Sequence, residues 1–127
     1  MTGTAAIDAL LEIARTGLDR VEPADLAAEA AAGALVVDIR PLEQRRRDGD
    51  LPGAIVIDRN VLEWRLDPTC PTHIPEMTDR DRRVIIVCDQ GYSSSLAAAT
   101  LRFLRLTRAT DLAGGFEAWA RFRRDGH

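Results

Sequence analysis

Apolar positions along the 127-residue chain follow two periods, and their alternation lays out the fold. Ile7, Leu10, Leu11, Ala14 and Leu18 recur at helical spacing, with Thr4 as the N-cap and Gly17 near the stop. Arg20–Glu22 has room only for a short edge strand, and Pro23 opens an alanine-rich helix that Gly33 ends. Aliphatic, largely β-branched runs mark strands at Ala34–Ile39, Ala54–Asp58 and Val84–Val87. The last of these is the pattern of a strand buried on both faces. Between them, Pro41 introduces a short helix over Leu42–Arg47 that Asp48-Gly49 stops, and Asn60–Leu66 gives one or two helical turns anchored by Trp64. Pro68, Pro71 and Pro75 make Asp67–Asp81 a surface loop. Farther on, Leu96, Thr100, Phe103 and Leu104 set one face of a helix against the sheet. Ala109–Leu112 is a last short strand, and Gly114-Gly115 turns into a helix bearing Phe116, Trp119 and Phe122.

Strands separated by helical segments imply parallel β/α units with right-handed crossovers. The chain divides into an N-terminal helical extension over residues 1–17 and an α/β domain over residues 18–127. At 46% hydrophobic and 29% charged, it can bury a core without disulfides. A net charge of −3 and a pI near 5.4 argue against a general nucleic-acid binder. No apolar run is long enough to span a bilayer, and no basic segment followed by an apolar one opens the chain. A cytoplasmic location without a membrane partner is therefore expected. Cys70 and Cys88 form neither a CxxC pair nor a disulfide framework. Cys70 and His73 make a C-x-x-H half-site, but His127 is the one other histidine, so no metal is expected.

Chemistry concentrates in Arg82–Leu101. Cys88 stands where the buried strand ends, Gly91 permits a tight turn, and three serines precede an alanine- and leucine-rich helix. Such a loop aims backbone N–H groups from Asp89 to Ser94 inward, and the helix dipole adds partial positive charge. Ser93, Ser94 or Ser95 is needed to cap the helix. In parallel sheets ligands sit beyond the carboxyl ends of the strands, where Cys88 falls. A cysteine so placed is expected to carry a thiolate fraction at neutral pH. Its plainer reading is a small buried hydrophobe.

Four segments narrow these alternatives: VVDIRPLEQ at Val36–Gln44, GDLPGAIVI at Gly49–Ile57, VIIVCDQGYSS at Val84–Ser94, and DLAGGFEAW at Asp111–Trp119. In kind, order and placement at strand ends they resemble the single-domain rhodaneses, from about Leu18 to the C-terminus. The resemblance implies a five-stranded parallel sheet with helices on both faces, to which the N-terminal helix is added. It also implies an active-site loop of Cys88, Asp89, Gln90, Gly91, Tyr92, Ser93 and Ser94. In active members the cysteine takes sulfane sulfur from a small donor, becomes a persulfide, and passes the sulfur to a thiol or cyanide-like acceptor. A protein acceptor also fits, and no cofactor is implied. The alternative is a non-catalytic rhodanese module that binds a partner or senses redox state.

Two positions depart from the family. Thiosulfate-using members often carry arginine where this chain has Ser93, and the lost charged hydrogen bond is worth ~1–3 kcal/mol. Asp50 stands where relatives usually have histidine, a structural position. Ser94, six residues after the cysteine, replaces the arginine that phosphatase and arsenate-reductase chemistry requires. Asp38 and Arg40 form the family's D-x-R pattern and are expected to support the loop, Asp38 through backbone hydrogen bonds and Arg40 through a carboxylate such as Glu43. Arg59 and Arg65 are candidate contacts for an anionic substrate, with surface charge as the plainer reading. Tyr92 is placed to shape the mouth of the site. Arg45-Arg46-Arg47 reads as a solvated face or a docking patch for an acidic carrier. Cys70 becomes a resolving thiol if its loop folds over Cys88.

Overall fold

A computed structural model describes residues 5–127, so the expected Thr4 cap lies outside the described residues. Six α-helices are present among them: α1 (Ala6–Arg15), α2 (Pro23–Ala31), α3 (Leu42–Asp48), α4 (Leu62–Leu66), α5 (Ser93–Phe103) and α6 (Gly115–Arg124). Four strands, β1 (Leu35–Asp38), β2 (Ile55–Val56), β3 (Val84–Val87) and β4 (Ala109–Asp111), form a parallel sheet in the order β2-β1-β3-β4. Central β3 is paired along its whole length with β1, from Leu35↔Val84 to Asp38↔Val87.

Alternation along β3 builds two cores. Val84 and Ile86 face Leu62, Leu66, Met77, Ala98 and Leu101, while Ile85 and Val87 face Leu26, Val36, Leu112 and Phe116. Helices therefore cover both faces, which is why β3 reads as an unbroken apolar run.

The expected fifth strand is reduced to one bridge. Val21 N–H donates to Asp111 O at 2.9 Å and Ala113 N–H donates to Val21 O at 2.8 Å, beside β4. Two residues later Pro23 has no N–H to give and starts α2, so the ladder cannot continue.

Two expected anchors also change places. On α5 the buried residues are Ser94, Ser95, Ala97, Ala98 and Leu101, whereas Phe103 is 90% exposed and Leu96, Thr100 and Leu104 flank α1. Small residues let α5 approach the sheet closely; Leu101 stays buried and Leu104 packs partly against the core, while Phe103 is turned outward. Trp64 is 59% exposed. Leu62 and Leu66, an i, i+4 pair, occupy the inward face of α4, and Trp64 between them points elsewhere. The proline-rich loop crosses the surface but inserts Ile74 and Met77 into the core. Among the described residues no helix is long and apolar enough to cross a membrane.

Candidate active site

Cys88 ends the buried β3 and is itself 6% exposed. The chain then turns through Gly91, at φ +84°, and enters α5 at Ser93. Gly91 N–H donates to Cys88 Sγ at 3.1 Å and Ser94 N–H at 3.4 Å. The sulfur thus accepts two N–H groups from the loop and the first turn of α5, a place where negative charge is favoured. None of the three serines caps the helix. Tyr92 is the N-cap residue and makes no side-chain cap bond. Ser94 and Ser95 hydroxyls instead donate to Asp111 Oδ2, each at 2.7 Å. The cysteine sulfur has taken the acceptor role expected of a serine.

Asp111, at the end of β4, is fully buried and also receives Arg20 through Nε at 2.9 Å and Nη2 at 3.2 Å. Arg20 Nη2 and Arg15 Nη2 both donate to Gly91 O, at 2.9 and 2.7 Å, and Arg15 Nε donates to Ser95 Oγ at 3.0 Å. Arg15, Arg20, Ser95 and Asp111 are thus part of the site's frame, and reading the chain missed them. The acid at a buried strand end was a usable signal for Asp111. Nothing local marks the two arginines.

The Gly114-Gly115 turn locks the loop from the other side. A Cβ on Gly115 would lie 2.5 Å from Cys88 O, and one on Gly91 would lie 2.7 Å from Gly114 N. That contact lets Phe116 N–H reach Cys88 O at 2.8 Å and Glu117 N–H reach Asp89 O at 3.0 Å. Glycine here serves close backbone approach as well as a left-handed turn.

In front of the sulfur opens a cleft of about 320 Å³, lined by Ile39, Arg40, Pro41, Gln44, Cys88, Asp89, Gln90, Tyr92 and Ser93. Tyr92 and Ser93 are exposed at its mouth. Arg40 is 2% exposed, and its partner is Asp38 and not Glu43. It donates to Asp38 Oδ2 at 2.8 Å and Gly49 O at 2.9 Å, and its guanidinium carbon lies 3.7 Å from the Phe116 ring centroid. Asp38 Oδ1 also accepts Arg40 N–H at 3.0 Å. The pair braces the cleft wall and neutralises its one lining cation.

The remaining candidates lie elsewhere. Arg59 pairs with Glu63 at 2.8 Å, Arg65 donates to Thr72 O at 2.6 Å, and neither lines the cleft. Cys70 Sγ lies 3.2 Å from Thr72 Oγ1 and faces a separate groove with Trp64, Thr100 and Leu104. Its loop does not fold over Cys88. Arg45 and Arg47 are engaged by Asp50 and Asp48, and Arg47 also lies 3.7 Å from Asp89. A further cleft between Glu29, Arg83 and Arg108 lies at the opposite ends of the strands and contains no nucleophilic side chain. Among the described residues no three His, Cys, Asp or Glu side chains gather as a metal site.

A parallel α/β sheet that delivers a buried cysteine into an amide-lined loop defines a class of cysteine-loop domains. Residues 22–122 match the rhodanese-like domain, and the chain belongs to that family. Several of its relatives are named sulfurtransferases. It is 33% identical over 104 residues to the thiosulfate sulfurtransferase GlpE of Stutzerimonas stutzeri, covering 82% of this chain and 86% of that protein. Over 91 residues it is 31% identical to the adenylyltransferase and sulfurtransferase MOCS3 of rice, of which it spans 20%. Among solved structures, a Rhodopseudomonas palustris protein of unknown function, described as a possible tyrosine phosphatase, superposes with TM-score 0.84 at 32% identity, covering 97% of this chain and 95% of that one. The human single-domain sulfurtransferase TSTD1 gives TM-score 0.68 at 25% identity, covering 80% and 95%.

Proposed function

We propose that the protein is a sulfurtransferase that carries sulfur as a persulfide on Cys88. The observation that carries this reading is the sulfur itself, which accepts the N–H groups of Gly91 and Ser94 at the base of an open cleft. Those donors stabilise a thiolate, the form that attacks. The thiolate forms a bond to the outer sulfur of a donor. The bond between that sulfur and its carrier breaks, and the carrier leaves with the electron pair. An acceptor thiolate or cyanide then attacks the outer sulfur, and Cys88 departs as the thiolate it began as. No net oxidation occurs and no cofactor is required. Asp89, Gln90, Gly91, Tyr92, Ser93 and Ser94 form the loop that receives the transferred sulfur, with Asp38 and Arg40 bracing its wall. Helix α1, Ala6–Arg15, belongs to an N-terminal extension, residues 1–17, added to a sulfur-transfer domain over residues 18–127.

The cleft also bears on the donor. Its polar lining is Gln44, Asp89, Gln90, Tyr92 and Ser93, and its one arginine, Arg40, is paired with Asp38 while its buried Nη1 has no hydrogen-bond partner among the described residues. Dianionic thiosulfate meets hydrogen-bond donors there but no unpaired guanidinium, so an alkyl persulfide, with at most one charge on its sulfur, is the better donor. Incubation with thiosulfate, an alkyl persulfide and inorganic polysulfide, followed by intact-mass measurement, tests both points. Wild type should gain one sulfur, fastest from the alkyl persulfide, and Cys88→Ala should gain none. Failure of every donor to load wild type would overturn the enzyme reading in favour of a binding module. Equal loading by thiosulfate would overturn the donor assignment.

A further inference from the structure

Two guanidinium groups converge on one neutral acceptor, the Gly91 carbonyl, at 2.7 and 2.9 Å. Arg20 is offset by its pair with Asp111. Arg15 pairs with no carboxylate among the described residues, and its remaining contacts are Ser95 Oγ at 3.0 Å and the Tyr92 ring at 5.8 Å. Its charge is therefore spent on the loop. Both arginines precede residue 22, where the family match begins. They are contributions of this chain's N-terminal segment to a site otherwise built from the family's own elements.

The peptide that follows Gly91 is trans, so its carbonyl and the Tyr92 N–H point in opposite directions. With the carbonyl held by Arg15 and Arg20, the Tyr92 N–H is turned away from them and has no hydrogen-bond partner among the described residues. Cationic donors on a peptide oxygen also polarise the amide and strengthen its N–H as a donor. Gly91 N–H is itself one of the two groups bound to the sulfur. That N–H lies in the preceding peptide but shares the Gly91 Cα with the clamped carbonyl, so holding the carbonyl restrains the N–H next to Cys88.

We propose that Arg15, together with Arg20, is a positioning residue of the Cys88 loop: clamping the Gly91 carbonyl, it holds the loop N–H groups in place and lends them positive charge that Ser93 does not supply. The inference rests on Cys88 being the reactive thiol of the reading above. It assigns the N-terminal helix a part in the chemistry. Leu11 is the buried side chain of α1, so Arg15 is the helix's polar tie to the loop.

Other charges around the loop are the Asp38–Arg40 pair, Asp111, Glu117 bonded to Gln90, and Asp89 near Arg47. The Arg15 variants leave all of them in place. The test is the rate of Cys88 alkylation by iodoacetamide across pH, in a Cys70→Ser background, with thermal melting measured alongside. Arg15→Gln should slow alkylation at neutral pH about threefold and carry the rise of the profile to higher pH, as loss of a nearby unit charge through partly hydrated surroundings requires. Arg15→Lys, which keeps the charge, should recover more than half of that loss. Arg15→Met retains the stem against Tyr92 and provides a second neutral variant should the glutamine form not fold. A neutral variant whose profile superimposes on wild type overturns the proposal, whatever its melting temperature. So does a lysine variant that falls as far as the neutral ones, because packing alone would then explain the loss. Iodoacetamide needs no sulfur donor, so failure of sulfur transfer and failure of this proposal are read separately.

Discussion

Gly115→Ala is the most informative single perturbation of the loop. The new methyl would stand 2.5 Å from Cys88 O and 2.7 Å from both the carbonyl carbon and oxygen of Asp89, all backbone atoms that no rotamer change can move. Residue 115 also has φ +64°, where a Cβ costs about 1–2 kcal/mol. Relieving the overlap pushes α6 off the loop and lengthens the Phe116-to-Cys88 and Glu117-to-Asp89 hydrogen bonds, now 2.8 and 3.0 Å. Each contributes about 1 kcal/mol, so the total is roughly 3–4 kcal/mol. For a domain of this size that lowers the melting temperature by about 10–20 °C. Gly53→Ala is the control. It shares the positive φ, at +81°, but a Cβ there meets nothing within 4 Å. It should cost only the strain, about 1–2 kcal/mol, and some 3–8 °C. Thermal melts of the two variants separate the contributions, and Gly115→Ala should also load sulfur on Cys88 more slowly. Equal melting temperatures for the two variants would refute the claim that the loop and the α6 turn interlock.

Three further outcomes follow from the same geometry. Asp111→Ala removes the carboxylate that accepts two buried serine hydroxyls and pairs with the partly buried Arg20, which keeps Gly91 O alone; urea denaturation should show a loss of about 3 kcal/mol, the lower end for a broken buried pair because water reaches Arg20. Ser93→Arg places a guanidinium at the cleft mouth and should raise kcat/KM for thiosulfate by about 5–150-fold, the equivalent of ~1–3 kcal/mol, and an unchanged value would remove charge as the ground for the proposed donor preference. The Thr69 hydroxyl and N–H, at 2.7 and 2.9 Å, hold the Asp67 carboxyl below its usual range. A lowered folded value stabilises the protein above the unfolded value of ~3.9, and that stabilisation is lost as pH falls through the folded one. Asp67→Asn should therefore be less stable than wild type at pH 7, with the gap closing in urea melts below about pH 4.

Much of this molecule is legible in one dimension. The run Val84–Val87 could only be a strand covered on both sides, and helices do cover both of its faces. Cysteine, glycine and serines in that order placed a turn and a helix start beyond it, and Gly114-Gly115 marked the turn that meets it. Local sequence determines these features because they depend on backbone freedom and on short-range periodicity. The outward turn of Phe103 and Trp64 was not legible, because small residues on α5 and the Leu62/Leu66 pair on α4 decided which faces could approach the sheet. Nor was the end of the fifth strand, where one bridge at Val21 gives way to Pro23.

The site divides in the same way. Cys88 and its loop were readable because strand, turn and helix lie next to one another along the chain. The partners of that loop were not. Arg15 and Arg20 reach Gly91 O across 76 and 71 positions of sequence, and Asp111 meets Ser94 and Ser95 from a different strand. A guanidinium finds its acceptor by geometry in three dimensions, and an arginine destined for a backbone carbonyl looks in sequence like any surface arginine. Sequence alone marked the candidate sulfur; only the tertiary structure decided what holds that atom's surroundings in place.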